Sequence, residues 1–93
     1  MSRLAIYAGT FDPITRGHED IIRRSLEFVD RLIVAVAVNV AKQPVFTAPE
    51  RVRFIREAVA DDPRIEVREF SGLLVDFARA TGARLFIRGP CDS

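Results

Sequence analysis

Residues 31–38 read RLIVAVAV. After the leading arginine every residue is apolar, and nothing alternates with water. A strand with one wet face alternates; a strand covered on both faces reads as a continuous, mostly β-branched run. The stretch therefore predicts an inner strand of a parallel sheet with helices on both sides. Parallel neighbours need crossovers, so helices should flank it in sequence.

They do. On the amino side, Ile22, Leu26 and Val29 recur at helical spacing, with Glu19 and Asp20 where a first turn favours acids, and predict a helix over 18–29. LAIY at 4–7 precedes it as a first strand. On the carboxyl side, NVAKQPVF at 39–46 is a loop. TAPE at 47–50 is a capping box, with Thr47 as cap and Glu50 three residues on. Val52, Ile55 and Val59 then mark a second helix, and the DDP at 61–63 ends it. Residues 65–70 form a third strand, residues 73–81 a third helix with Leu74, Phe77 and Ala78 toward the core, and Gly82 its C-cap. Residues 84–87 are a fourth strand. The expected fold is α/β, an open parallel Rossmann-like sheet in strand order 3-2-1-4, forming one partial domain over residues 1–93 that is truncated after the fourth strand. In that order the first and fourth strands are neighbours at the switch point, and ligands bind beyond their carboxyl ends.

Composition narrows the function. Apolar residues make up 48% and charged residues 29% of 93, a soluble globular balance. The net charge of +1 gives no bulk attraction to nucleic acid or an anionic membrane. Thirteen of the fourteen basic residues are arginine; the other is Lys42. A single cysteine, Cys91, rules out an internal disulfide and any multi-cysteine zinc site. The sequence enters its first strand at once and holds no long apolar run, so no signal peptide or membrane span is expected and the expected location is cytoplasmic.

The chemistry concentrates at 9–18, GTFDPITRGH, beyond the first strand. A plain strand-to-helix turn needs a few residues and a cap. This one carries two glycines, two threonines, a rigid Asp12–Pro13 and the chain's one histidine, His18. Gly9 is expected to permit a tight turn and close approach of a ligand. Thr15, Gly17 and His18 stand where unpaired amides and the helix dipole attract anions. Neither G-x-G-x-x-G nor G-x-x-x-x-G-K-[ST] is present.

The TRGH at 15–18 matches the T/H-x-G-H signature of the nucleotidyltransferase superfamily. The longer segments IYAGTFDPITRGHEDIIRRS, VAVAVNVAKQPVF, ERVRFIREA, FSGLLVDFARATGA and IRG, in that order, resemble phosphopantetheine adenylyltransferase over about residues 3–89. The resemblance implies adenylyl transfer from ATP, with Mg²⁺, to 4′-phosphopantetheine, giving dephospho-coenzyme A and pyrophosphate. It implies catalytic His18, contacts from Thr10, Phe11, His18 and Gly89 to ATP, and from Thr10, Lys42, Leu74 and Arg88 to phosphopantetheine. No residue is implied as a metal ligand. The family pattern departs at Ala8, where proline is usual, and stops after Gly89, so the 93 residues alone are expected not to turn over at a useful rate. A homo-oligomer is expected. The alternatives are a phosphate- or nucleotide-binding fragment that needs a partner chain, and an adenylyltransferase for another small phosphate.

Overall fold

The computed structural model describes residues 3–9, 11, 14–38, 47–59 and 62–87. The elements run β1 (Leu4–Gly9), α1 (Arg16–Ser25), β2 (Arg31–Ala37), α2 (Ala48–Ala58), β3 (Ile65–Phe70), α3 (Leu74–Thr81) and β4 (Leu85–Ile87). The sheet has four strands in the order β3-β2-β1-β4, and every pairing is parallel. Fold class and strand order are as the sequence predicts.

The topology follows from one handedness rule. From β1 to β2 to β3 the chain steps across the sheet in one direction, so right-handed crossovers put α1 and α2 on the same face. From β3 the chain returns past β2 and β1 to β4. The direction has reversed, and the same hand sends α3 to the opposite face. Two core clusters record this. Tyr7, Leu32, Val34 and Val36 point toward Ile22 of α1 and Val52 and Ile55 of α2. Ile6, Ile33 and Ala35 point the other way, toward Ala78 of α3 with Leu74 and Phe77 packed beside it. Every residue of β2 after Arg31 is buried, as a strand covered on both faces must be.

The caps set the helix boundaries. Thr47 caps α2: its Oγ accepts the Glu50 amide at 3.3 Å, and the Glu50 carboxylate accepts the Thr47 amide at 2.9 Å. Gly82 ends α3 in the left-handed region at φ 82°, with its amide on the Ala78 carbonyl. The helix predicted over 18–29 begins and ends earlier. Thr15 caps it, so it starts at Arg16. After Ser25 the bonds tighten, Glu27 N–H to Arg24 O and Phe28 N–H to Ser25 O, which carries Val29 into the core through a turn. An apolar stripe fixes which face is buried; it does not distinguish a last α-turn from a tighter one.

Candidate active site

The stretch 9–18 lies at the carboxyl end of β1, the central strand beside β4. Its described part is built around three rings. Phe11 is buried, at 2% exposure, and its backbone sits in the left-handed region at φ 49°, which is uncommon for a bulky residue. The Phe11 ring meets Tyr7 edge-on at 5.3 Å between centroids and His18 at 4.9 Å. Tyr7 lies 6.2 Å from His18. Beneath the ring is Gly9, where an added Cβ would stand 3.2 Å from Phe11 Cε2. This corrects the expectation of a tight turn at Gly9. Gly9 is a strand residue whose φ is not positive, and its missing side chain makes room for an aromatic ring.

Helix α1 opens with a reciprocal cap. Thr15 Oγ accepts the His18 amide at 3.4 Å, and the His18 ring nitrogen Nδ1 accepts the Thr15 amide at 2.9 Å. This is a capping box in which histidine stands where glutamate or glutamine usually does. His18 is 6% exposed, held by its own helix start and by the ring of Phe11. The amides of Arg16 and Gly17, first in the helix, point out of its positive end.

The remaining sequence-predicted residues fall as follows. Phe11 and His18 come together. Leu74 is the first residue of α3 and packs half-buried on the opposite face of the sheet, against the cluster of Ile6, Ile33, Ala35 and Ala78. Thr10, Lys42, Arg88 and Gly89 lie outside the described residues, as do Asp12, Pro13 and Cys91. β4 ends at Ile87, paired with Tyr7. A concavity of about 300 Å³ between α1 and α2 is lined by Leu26, Val59, Asp62 and Arg64 and lies toward the other end of the strands.

Two features escaped the sequence reading. Arg51 is 2% exposed, and its Nη1 donates at 3.1 Å to the carbonyl of Ala37, the last residue of β2. It stands four residues before Ile55, on the buried stripe, so helical spacing pointed to it. The Thr15–His18 cap was visible as T-x-x-H, one residue type away from the usual box.

Residues 6–91 match the cytidylyltransferase-like family. The chain belongs to that family. Among curated relatives, this cytidylyltransferase-like chain is 56% identical over 89 residues to phosphopantetheine adenylyltransferase of Anaeromyxobacter sp. (strain K), covering 96% of this chain and 54% of the relative. It is 57% identical over 86 residues to that of Dehalococcoides mccartyi (strain CBDB1), covering 92% and 54%. The resemblance read from the motifs is thus borne out, and the chain spans about half the length of the curated relatives it matches. Two solved structures share the fold. One is the lipopolysaccharide core biosynthesis protein from Thermoplasma volcanium GSS1, with TM-score 0.71, 20% identity and coverage of 92% of this chain and 73% of that one. The other is a bifunctional NMN adenylyltransferase/ADP ribose pyrophosphatase complexed with AMP and Mn ion from Francisella tularensis, with TM-score 0.66, 15% identity and coverage of 85% and 25%.

Proposed function

We propose that this chain serves adenylyl transfer from ATP to 4′-phosphopantetheine, giving dephospho-coenzyme A and pyrophosphate, in the cytoplasm. The observation that carries the proposal is the match, at 56–57% identity across nearly the whole chain, to phosphopantetheine adenylyltransferases. The buried histidine at the opening of α1 supports it. In this reading a phosphate oxygen of the acceptor attacks the α-phosphorus of ATP. One P–O bond forms, the bond to the β-phosphate's bridging oxygen breaks, and pyrophosphate leaves. The nucleophile is already an anion, so the site needs alignment and stabilisation of charge on the five-coordinate phosphorus. His18 gives a hydrogen bond to that charge. The backbone at Thr10 and Phe11, with Gly89, receives the nucleotide; Lys42 and Arg88 hold phosphate, and Leu74 lines the pantetheine side. Mg²⁺ carried on the ATP phosphates would supply neutralisation of their charge. Among the described residues no three His, Cys, Asp or Glu side chains converge. The protein works as a homo-oligomer.

A second reading is favoured by the span of the match, about half of each relative: the chain binds the phosphate ligands and needs a partner chain for turnover. Pyrophosphate release from ATP, Mg²⁺ and 4′-phosphopantetheine separates the two. Turnover in the ordinary range of about 1–10³ s⁻¹, lowered about 10²- to 10³-fold in His18→Ala, supports catalysis by the chain itself. Calorimetric binding of either substrate without turnover supports the second reading. Neither binding nor turnover sinks both.

A further inference from the structure

A histidine can meet a phosphate as a donor or take a proton as a base, and the two roles need different tautomers. The Thr15 amide lies 2.9 Å from His18 Nδ1. An amide N–H can only donate, so Nδ1 accepts through its lone pair, and the proton of the neutral ring is on Nε2. Thr15 Oγ accepts the His18 amide and also lies 3.0 Å from the same nitrogen; with Nδ1 unprotonated, the hydroxyl is the donor in that contact. A proton moved to Nδ1 would face the amide hydrogen of Thr15 and break the cap. The ring's plane is fixed separately. Phe11 packs against it at 4.9 Å and is itself wedged between Tyr7 and Gly9 in its left-handed backbone conformation.

We propose that Thr15 and Phe11 are positioning residues for His18: the Thr15 amide locks the neutral ring as Nε2–H and Phe11 locks its plane, making His18 a standing hydrogen-bond donor. The inference rests on the assignment of His18 to the phosphate site. It has a consequence for the acceptor. Nδ1 is occupied and Nε2 already carries its proton, so the neutral ring takes no proton from the nucleophile. The acceptor phosphate must therefore arrive with its attacking oxygen ionised, and no proton passes through His18 during transfer.

The chain has one histidine, so its ring gives one set of imidazole signals in heteronuclear NMR of the isotope-labelled 93-residue chain. We expect a through-hydrogen-bond coupling between the Thr15 amide nitrogen and His18 Nδ1. The Nδ1–H form should be less than about one-tenth of the neutral ring, since it loses one hydrogen bond and sets two donors together. Thr15→Ser should preserve both signatures. Thr15→Pro, which has no amide hydrogen, should raise the Nδ1–H fraction several-fold. Phe11→Leu should keep the tautomer but average the ring over several orientations. A wild-type ring carrying its proton mainly on Nδ1, or lacking the coupling, overturns the proposal whether or not the variants fold. Tripolyphosphate is then added as the probe. A shifted Nε2 signal with Nδ1 unchanged is the expected result. An unmoved ring with the tautomer as expected overturns the phosphate assignment and leaves the positioning standing; a tautomer that switches on addition overturns the positioning.

Discussion

Gly9 shows how one missing side chain organises a site. The Phe11 ring fills the space a Cβ would take, at 3.2–3.3 Å, and has little room to give because Tyr7 and His18 flank it. Gly9→Ala should therefore act as overpacking and destabilise by about 1–3 kcal/mol. For a domain of this size that lowers Tm by about 4–8 °C per kcal/mol, and thermal unfolding followed by circular dichroism reads it. A variant as stable as the parent would mean the Phe11 ring moves freely. At this scale the sequence was legible in part. The residue types of 9–18 singled out the start of α1, where His18 stands in a reciprocal cap with Thr15 and against the Phe11 ring. The backbone conformation of Phe11 and the burial of Arg51 were not legible by the same means. A phenylalanine with positive φ is held by tertiary contacts, and an arginine reads as solvated until the carbonyl it binds is placed.

The elements were the most legible level, because hydrophobic period and cap chemistry act over a few residues. RLIVAVAV became a strand over Arg31–Ala37 that is buried after its leading arginine, TAPE a capping box, and Gly82 a left-handed cap. The turn into β3 holds a clasp with a measurable pH signature. Asp62 Oδ1 accepts the Arg64 amide at 2.9 Å, and its carboxylate meets the Arg64 guanidinium at 2.8 Å. Those bonds from Arg64 hold the Asp62 carboxyl down at about 2, against its usual 3.8. A carboxyl lowered by folding adds stability above its unfolded value and loses it as pH falls toward the folded one. The clasp should therefore contribute fully above about pH 4 and fade between about pH 4 and pH 2. Urea unfolding of wild type and Asp62→Asn as pH is lowered checks this: the gap between them should close across that window. A gap independent of pH would show that the ion pair adds nothing. The pair is exposed, so the gap itself will be small.

The whole sheet has two unlike edges. β3 presents Glu66, Arg68 and Glu69 to solvent, the charged kind of edge that discourages pairing. β4 presents Leu85 at 41% exposure and Phe86 at 49%, and among the described residues nothing pairs with its outer side. We expect association through β4, seen as a sedimentation coefficient that rises with protein concentration. Phe86→Lys should reduce the rise and Glu66→Ala should not; equal behaviour of the two variants would move the contact elsewhere. Strand order was legible at this scale because handedness and crossover leave few options, while the packing partner of an edge is not encoded in any periodicity. The seam between β1 and β4 has a further property. Ala5 pairs with Leu85, so this seam joins residues from nearly opposite ends of the chain through three residue pairs, where β1 and β2 share six. Long-range pairing of that kind forms late in folding and opens first under native conditions. Amides at the seam should thus exchange with solvent ahead of those between β1 and β2. A ligand spanning the carboxyl ends of β1 and β4 would act as a rivet, and its affinity would register as slowed exchange along three short rungs.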